Sequence, residues 1–492
     1  MDLSTLYGNT VPSSVKKQAE KQFNKFAKKF SYDPNSYPNL AGYAIGSGYD
    51  DFAMKTVLEN SYDPEKAEPI STEKSIMIGT IRMGFGHCRM AIALASAAKA
   101  LGYTPYWMDL LSYPDSAGTK TIRYLEKLYN LGSRISQRSR FFNKYIWEYI
   151  TSAAGQRLTH TVKEKALSKI FSPLYTTVPK DIPFLSTHPW VGHGAVEAGL
   201  KNVVTIIPDN FPLAFHVVPG STHAVQSPSA YMGYRTFIAM GTTMNLDYCM
   251  PKEDIFECGH YIDHEIVSNV ETDCEQRLRR VHSGETRRFL LTMGGAGAQV
   301  MRFADIIRTS RKAIEENKAA FFINMGDHVG RWKDLKKIFD KEKIAYELIT
   351  DWKETRKFIE EKRTNEVRGI YVFLHDNFYA AVYTTNLLIR ISDVMITKPS
   401  ELSFYPIPKL FIQRVGRHEA WGAIRGSEIG DGTIETASIT SMHRTLKLLI
   451  EEDDLLELYC RHIIQNKKDG IYDGAYNAVR KAVELRDNHK SM

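Results

Sequence analysis

From Lys74 onward the chain is built of short apolar runs that stop at glycines, each followed by helix-spaced positions. The first run is Ser75-Ile76-Met77-Ile78-Gly79; a helix pattern rich in small residues covers 90–101, and a second strand pattern covers 104–110. Strand, glycine turn, helix, strand predicts a βαβ unit, because strands buried on both faces read as apolar runs and parallel strands need a crossover. Further strand patterns lie at 184–187, 202–207 and 223–226. The same order restarts at Arg288: Phe289-Leu290-Leu291-Thr292-Met293, then Gly294-Gly295-Ala296-Gly297, then a helix pattern over 301–317. Strand patterns follow at 321–325, 344–349, 370–374, 394–396 and 409–412. The pattern therefore predicts an α/β protein with two doubly wound domains facing across a cleft. The expected boundaries are an N-terminal extension over 1–73, a first domain over 74–270, a charged linker over 271–287, a second domain over 288–450 and C-terminal helices over 451–492. The extension is polar and turn-rich, with one basic helical stretch near 14–30, and reads as an arm without a core of its own.

Composition narrows the class. The 492 residues are 43% hydrophobic and 25% charged, the balance of an ordinary globular chain. No window approaches the ~18 consecutive apolar residues that cross a bilayer, and the N-terminus carries no signal-peptide pattern. Five cysteines without a C-x-x-C pair suggest neither a disulfide framework nor a zinc site, so the expectation is a reduced, cytoplasmic protein. The net charge of +7 suits anionic small molecules, a membrane surface or nucleic acid equally.

Candidate chemistry collects at the glycine turns. Gly84-Phe85-Gly86-His87 follows the first strand; glycines there allow close backbone approach to a ligand, and the following helix N-terminus favours an anion. His87 at that corner suits a general base. The turn around Gly294, Gly295 and Gly297 has the same logic for a phosphate or diphosphate, and neither turn is a Walker loop. His188 and Asp209 each follow a strand of the first domain and either could line an acceptor site. Residues 414–432 mix arginines, carboxylates and glycines, a composition that suits a diphosphate-sugar pocket at a sheet edge and equally a solvated loop. Residues 119–150 carry seven basic against two acidic side chains, interleaved with aromatics. Arg134, Arg138, Arg140 and Trp147 there suit an interfacial helix on anionic lipid, or a pair of helices packing their aromatics inward. No nucleic-acid-binding module accompanies the segment.

Several motifs together resemble the two-domain GT-B glycosyltransferases, in particular the branch holding diacylglycerol glycosyltransferases and the N-acetylglucosaminyltransferase of lipid-linked peptidoglycan precursors. Gly84-Phe85-Gly86-His87 resembles that family's first glycine loop, and Asn202-Val203-Val204-Thr205-Ile206-Ile207-Pro208-Asp209 and Val225-Gln226-Ser227-Pro228 resemble its next strand ends. Met250-Pro251-Lys252 through His260 resembles the approach to its linker, Met293–Gly297 its second glycine loop, and Asp393-Val394-Met395-Ile396-Thr397-Lys398-Pro399 its donor-domain strand end. The resemblance implies Rossmann-like domains and a metal-independent, inverting transfer of a hexose or N-acetylhexosamine from a UDP-sugar to a hydroxyl acceptor, lipid-linked in this branch. It implies no cofactor beyond the UDP-sugar donor substrate and no nucleic-acid partner, with a membrane-associated cytoplasmic location; it sets no oligomeric state. His87, then Asp209, are the catalytic candidates; Gly84, Gly86 and His188 are acceptor-binding. Gly294, Gly295, Gly297, Lys398, Ser400, Glu401, His418 and Glu419 are donor-binding. Glu401 lies seven residues before Pro408, the spacing of the family's ribose-binding glutamate. Two departures stand out: the stretch from Pro399 to Pro408 is shorter than the family's, and His418, Glu419 and Gly422 replace its glutamines and asparagine. They leave room for an epimerase or hydrolase acting on a nucleotide-sugar without an acceptor, or for a non-catalytic binding protein on this fold.

Overall fold

The computed structural model describes residues 3–45, 54–138, 157–241, 244–294, 299–414, 416 and 418–491. They form two compact α/β units: Met1–Met83, Met90–Asp263 and Gly474–Met492 in the first, Gly84–Arg89 and His264–Asp473 in the second.

The first unit contains an eight-stranded sheet. Its strands are β1 (Leu40–Ala44), β2 (Lys55–Glu59), β3 (Ser75–Thr80), β4 (Thr104–Asp109), β5 (Phe184–Ser186), β6 (Val203–Ile206), β7 (Thr222–Val225) and β8 (Ile255–Glu257). They lie in the order β8-β7-β6-β5-β3-β4-β2-β1, all pairs parallel except β1 with β2. Strand order reverses between β3 and β5, which makes that edge the switch point of a doubly wound sheet. Every residue of β3 is buried, and Gly79 is obligatory there: an added Cβ would lie 2.4 Å from Val191 and 2.7 Å from Phe184. Helices α1 (Ser13–Lys29), α2 (Gly86–Ala100), α3 (Ala117–Arg138), α4 (Leu158–Phe171), α5 (Pro189–Glu197) and α6 (Pro228–Arg235) belong to this part of the chain. Phe171, Tyr175, Phe184 and Trp190 pack with Met77 and Tyr106 in one core cluster, each large side chain contributing about 1.5–3 kcal/mol on burial.

The extension expected over 1–73 differs from a mere arm: it supplies β1 and β2, two strands of this sheet. Val57 is fully buried, Gly42 leaves space for the Tyr106 ring, and the Tyr113 hydroxyl donates to the Val57 carbonyl at 2.8 Å. The final helix, Gly474–Ser491, also belongs to the first unit: Asn477 Nδ2 donates to the Cys258 carbonyl at 2.9 Å, and His489 Nδ1 meets Asn202 Oδ1 at 2.7 Å.

The segment expected over 271–287, a charged stretch that reads as helical or linker-like, forms helix α7 (Val270–His282) and the start of β9 (Arg287–Thr292). The strands that follow are β10 (Ala319–Asn324), β11 (Glu347–Ile349), β12 (Gly369–Phe373), β13 (Val394–Thr397) and β14 (Lys409–Phe411). They form a wholly parallel sheet in the order β11-β12-β10-β9-β13-β14, with its switch point between β9 and β13. Alternation along β10 sends Phe321 against Phe289 on one face and Phe322 against Phe358 on the other. Helix α7 is tied into this unit by buried arginines. Arg280 donates to Asp393 at 2.9 and 2.7 Å, and Arg277 donates to the Ser392 and Ile389 carbonyls at 2.9 Å. Asp393 also accepts the Arg288 backbone N–H at 2.8 Å, so one carboxylate joins α7, β9 and β13. Helices α8 (Val300–Thr309), α9 (Val329–Glu342), α10 (Trp352–Lys362), α11 (Phe378–Ile389), α12 (Ala420–Glu428), α13 (Ile439–Glu451) and α14 (Asp454–Lys468) complete the unit.

Candidate functional site

At the switch point of the second sheet, β9 runs out at Gly294 and β13 at Lys398. A Cβ built on Gly294 would meet Lys398 Cε at 3.3 Å, so glycine gives the lysine its passage. Lys398 Nζ forms an ion pair with Glu419 Oε1, and Glu419 Oε2 accepts the Gly416 backbone N–H at 3.1 Å. Both side chains are largely covered, 20% and 10% exposed. Glu419 immediately precedes α12, where a carboxylate is favoured by the helix dipole. His418 lies beside it, its ring filling the space an added Cβ on Gly416 would need.

Between β13 and β14 the chain has only residues 398–408, holding a single 3₁₀ turn, Glu401–Phe404, preceded by Ser400. The shortness noted in the sequence leaves a single 3₁₀ turn to connect the two parallel strands. Glu401 is carried on that turn, and its Oε2 lies 3.4 Å from where a Cβ on Gly86 would sit. The glycine turn Gly84–Gly86 and His87 are part of this second unit. Two residues anchor the turn there. Phe85 packs against His328 and Phe378, with ring centroids 5.3 and 5.8 Å apart, over Gly326, whose φ of +64° and lack of a Cβ its ring requires. Arg89, 3% exposed, donates to Asn386 Oδ1 at 2.6 Å and lies over the Tyr405 ring.

Sequence reading missed His328, Arg89 and Asn386. His328 Nε2 lies 3.0 Å from the Gly294 carbonyl, which brings a third strand end to the same edge. The signal was present: Phe321-Phe322-Ile323-Asn324-Met325-Gly326 is another apolar run closing on a glycine before a helix. Asn324 fixes that turn by accepting the Gly326 N–H at 2.9 Å and donating to Thr385 at 2.8 Å. Deeper in, Lys409 and Asp431 pair at 2.7 Å with no exposure; burial pulls the ammonium down and the carboxyl up, and each charge restores the other.

His188 and Asp209 belong to the first unit. His188 caps α5: its Nδ1 accepts the Trp190 N–H at 3.2 Å. Trp190 lies against His188, ring centroids 4.9 Å apart, and its indole N–H is held by Glu164, whose carboxyl is pushed up by burial. Asp209 follows β6 and is half-buried. Thus Gly84, Gly86, His87, Gly294, Lys398, Ser400, Glu401, His418 and Glu419 share one unit, and His188 and Asp209 the other. Gly295, Gly297, Arg140 and Trp147 lie outside the described residues. Arg134 and Arg138 fall in the last turns of α3. Among the described residues no helix is long and apolar enough to cross a membrane, and no group of three or more His, Cys, Asp or Glu could hold a metal.

Two family models match the sequence. Domain of unknown function DUF6937 matches residues 5–236 and domain of unknown function DUF6938 matches residues 250–483. No curated protein matches the chain. Among solved structures, it is similar to UDP-GlcNAc 2-epimerase from Neisseria meningitidis, bound to UDP-GlcNAc (9% identity, TM-score 0.44, 85% of this chain and 100% of that one). It is also similar to α,α-trehalose 6-phosphate synthase from Burkholderia multivorans (12%, 0.41, 85% and 99%) and to a glycosyltransferase from Rickettsia africae (12%, 0.36, 84% and 98%). Likenesses of this size transfer no residue role.

Proposed function

We propose that the protein is a nucleotide-sugar-dependent glycosyltransferase of the GT-B type, with the switch point of its second sheet as the donor seat. The observation that carries this reading is the meeting of Gly294, Lys398, Glu401 and the turn Gly84–His87 within one unit. Ligands of open parallel sheets bind outside the carboxyl ends of strands at such points. In this reading Lys398 neutralises a phosphate of the nucleoside diphosphate. Gly294 and the N-terminus of α8 donate backbone N–H groups to the phosphates. Glu401 accepts a hydroxyl of the ribose. His87 removes the proton from the acceptor hydroxyl as its oxygen bonds to the sugar's anomeric carbon; the bond from that carbon to the diphosphate breaks, and the nucleoside diphosphate leaves with the electron pair.

UDP as the nucleotide, a hexose or N-acetylhexosamine as the sugar, and a lipid-linked acceptor reached through residues 119–150 are the finer parts of the proposal. The test is calorimetric titration with UDP and UDP-sugars, followed by transfer assays with diacylglycerol in vesicles. Binding and transfer support the reading; binding with release or interconversion of the sugar alone redirects it to a hydrolase or epimerase. Absence of heat with every nucleoside diphosphate removes it.

A further inference from the structure

Resting on that reading of the site, we propose that Glu419 is an internal competitor for the phosphate seat, which a ligand must displace to bind. The carboxylate makes the two contacts a phosphate oxygen pair would make: one oxygen takes the Lys398 ammonium and the other takes the Gly416 backbone N–H. It does so from just before the first residue of α12, where the dipole favours an anion. Lys398 stands beside Gly294 at the switch point, so the cation best placed for a ligand phosphate is already neutralised. Glu419 is nine-tenths covered, so the pair is shielded from the solvent screening that weakens surface ion pairs.

A single carboxylate brings one negative charge, whereas a diphosphate brings more charge and more acceptor oxygens to the same donors. The site therefore selects against weakly charged anions and yields to a diphosphate, which swings Glu419 away and frees it to accept a hydroxyl elsewhere. Glu419 sets specificity by charge, and its pairing with Lys398 lowers apparent affinity by the fraction of molecules in which the seat is taken.

The experiment is calorimetric titration of the full chain, its E419Q and E419D variants, and K398A, with UDP and separately with inorganic pyrophosphate. The amide of E419Q keeps an acceptor for the Gly416 N–H while removing the competing charge. The proposal expects E419Q to bind both probes about tenfold more tightly than the unaltered chain, E419D to stay near the unaltered value, and K398A to lose both. Equal or weaker binding of UDP and pyrophosphate by E419Q overturns it, and with UDP still bound the donor-seat reading survives. Tighter pyrophosphate binding without UDP binding by any variant supports the competitor and removes the nucleotide. No binding of either probe by E419Q removes both.

Discussion

In the first unit two deeply buried titratable groups, His193 and His223, are held neutral, whereas the interior of the second unit is crossed by paired charges. His223 donates from Nδ1 to the Asp254 carbonyl at 2.8 Å and accepts the Val218 N–H on Nε2 at 2.9 Å, an arrangement that only the neutral ring can make. Burial lowers it to about 4 and lowers His193 to about 3. In the second unit Arg280 meets Asp393, Lys409 meets Asp431, and Arg390 meets Asp273 at 3.2 Å and Glu265 at 2.9 Å. The neutral imidazole of His223 bridges two backbone groups at little desolvation cost near neutral pH. Paired charges fix long-range register, at the risk that loss of either partner strands a charge. The difference teaches that the two halves fail under different insults, acid for one and single substitutions for the other.

The largest effect concerns which unit supplies the base. Replacing His87, grouped with the second unit, by alanine should cut transfer by about 10²–10⁴-fold with UDP affinity retained, while Asp209→Asn in the first unit should cost far less. A reversal of that order, read from initial rates, moves the base to Asp209. Next, Asp393→Ala strands the buried Arg280 and should cost about 3–5 kcal/mol in urea unfolding, with exchange protection lost first in 264–473. An Asp393→Ala protein with an unchanged midpoint breaks the charge-pair half of the comparison.

The acid arm comes third. Both histidines are lowered in the folded state, so their contribution is complete above the unfolded value near 6.5 and is lost as pH falls through that value towards about 4 and about 3. At pH 5 the loss should be roughly 2 kcal/mol per histidine. Glu164 in the first unit and Asp273 and Asp431 in the second are raised by burial and act with the opposite sign, their contribution being present below the unfolded value and lost as pH rises. The second unit's less deeply buried His375 is lowered in the same sense as the first unit's pair. Peptide-resolved hydrogen exchange at pH 7 and 5, corrected for intrinsic rates, should therefore show loosening in the first unit; equal loosening in both would sink the distinction. The smallest contrast is between two helix caps. Ser227, buried before α6, accepts the Ala230 N–H at 3.2 Å and also donates to Asn210, whereas exposed Asp351 before α10 accepts only the Glu354 N–H at 2.9 Å. Alanine should cost about 2 kcal/mol at Ser227 and about 1 at Asp351, a ranking that thermal melts check.

The fold's centre was legible because β3 and β9 are apolar runs ending at glycines, and buried parallel strands write themselves that way. The edge was not: β1 and β2 sit among turn residues, and Lys55 and Glu59 on a half-exposed strand look like any polar stretch. Helix α7 was legible as charged but not as buried, since Arg277 and Arg280 read as solvent-facing until partners more than a hundred positions away come into contact. In the site, Gly294 stands out from its position after a strand, whereas Lys398 and Glu401 are singled out by the family resemblance and, for Glu401, by its spacing of seven residues before Pro408. The Lys398–Glu419 pairing was not, because a spacing of twenty-one residues across a strand and a loop carries no periodic signature.

The helix Gly474–Ser491 gives the chain an unusual order of assembly. The first sheet leaves the ribosome early, yet the segment that packs against β5 and β6 is made only after all of 264–473. During synthesis the nascent first unit must therefore wait with those strands short of a cover while its later neighbour can already close. A chain clipped before residue 474 would lose the bonds that Asn477 and His489 make to Cys258 and Asn202, whatever the state of its other half.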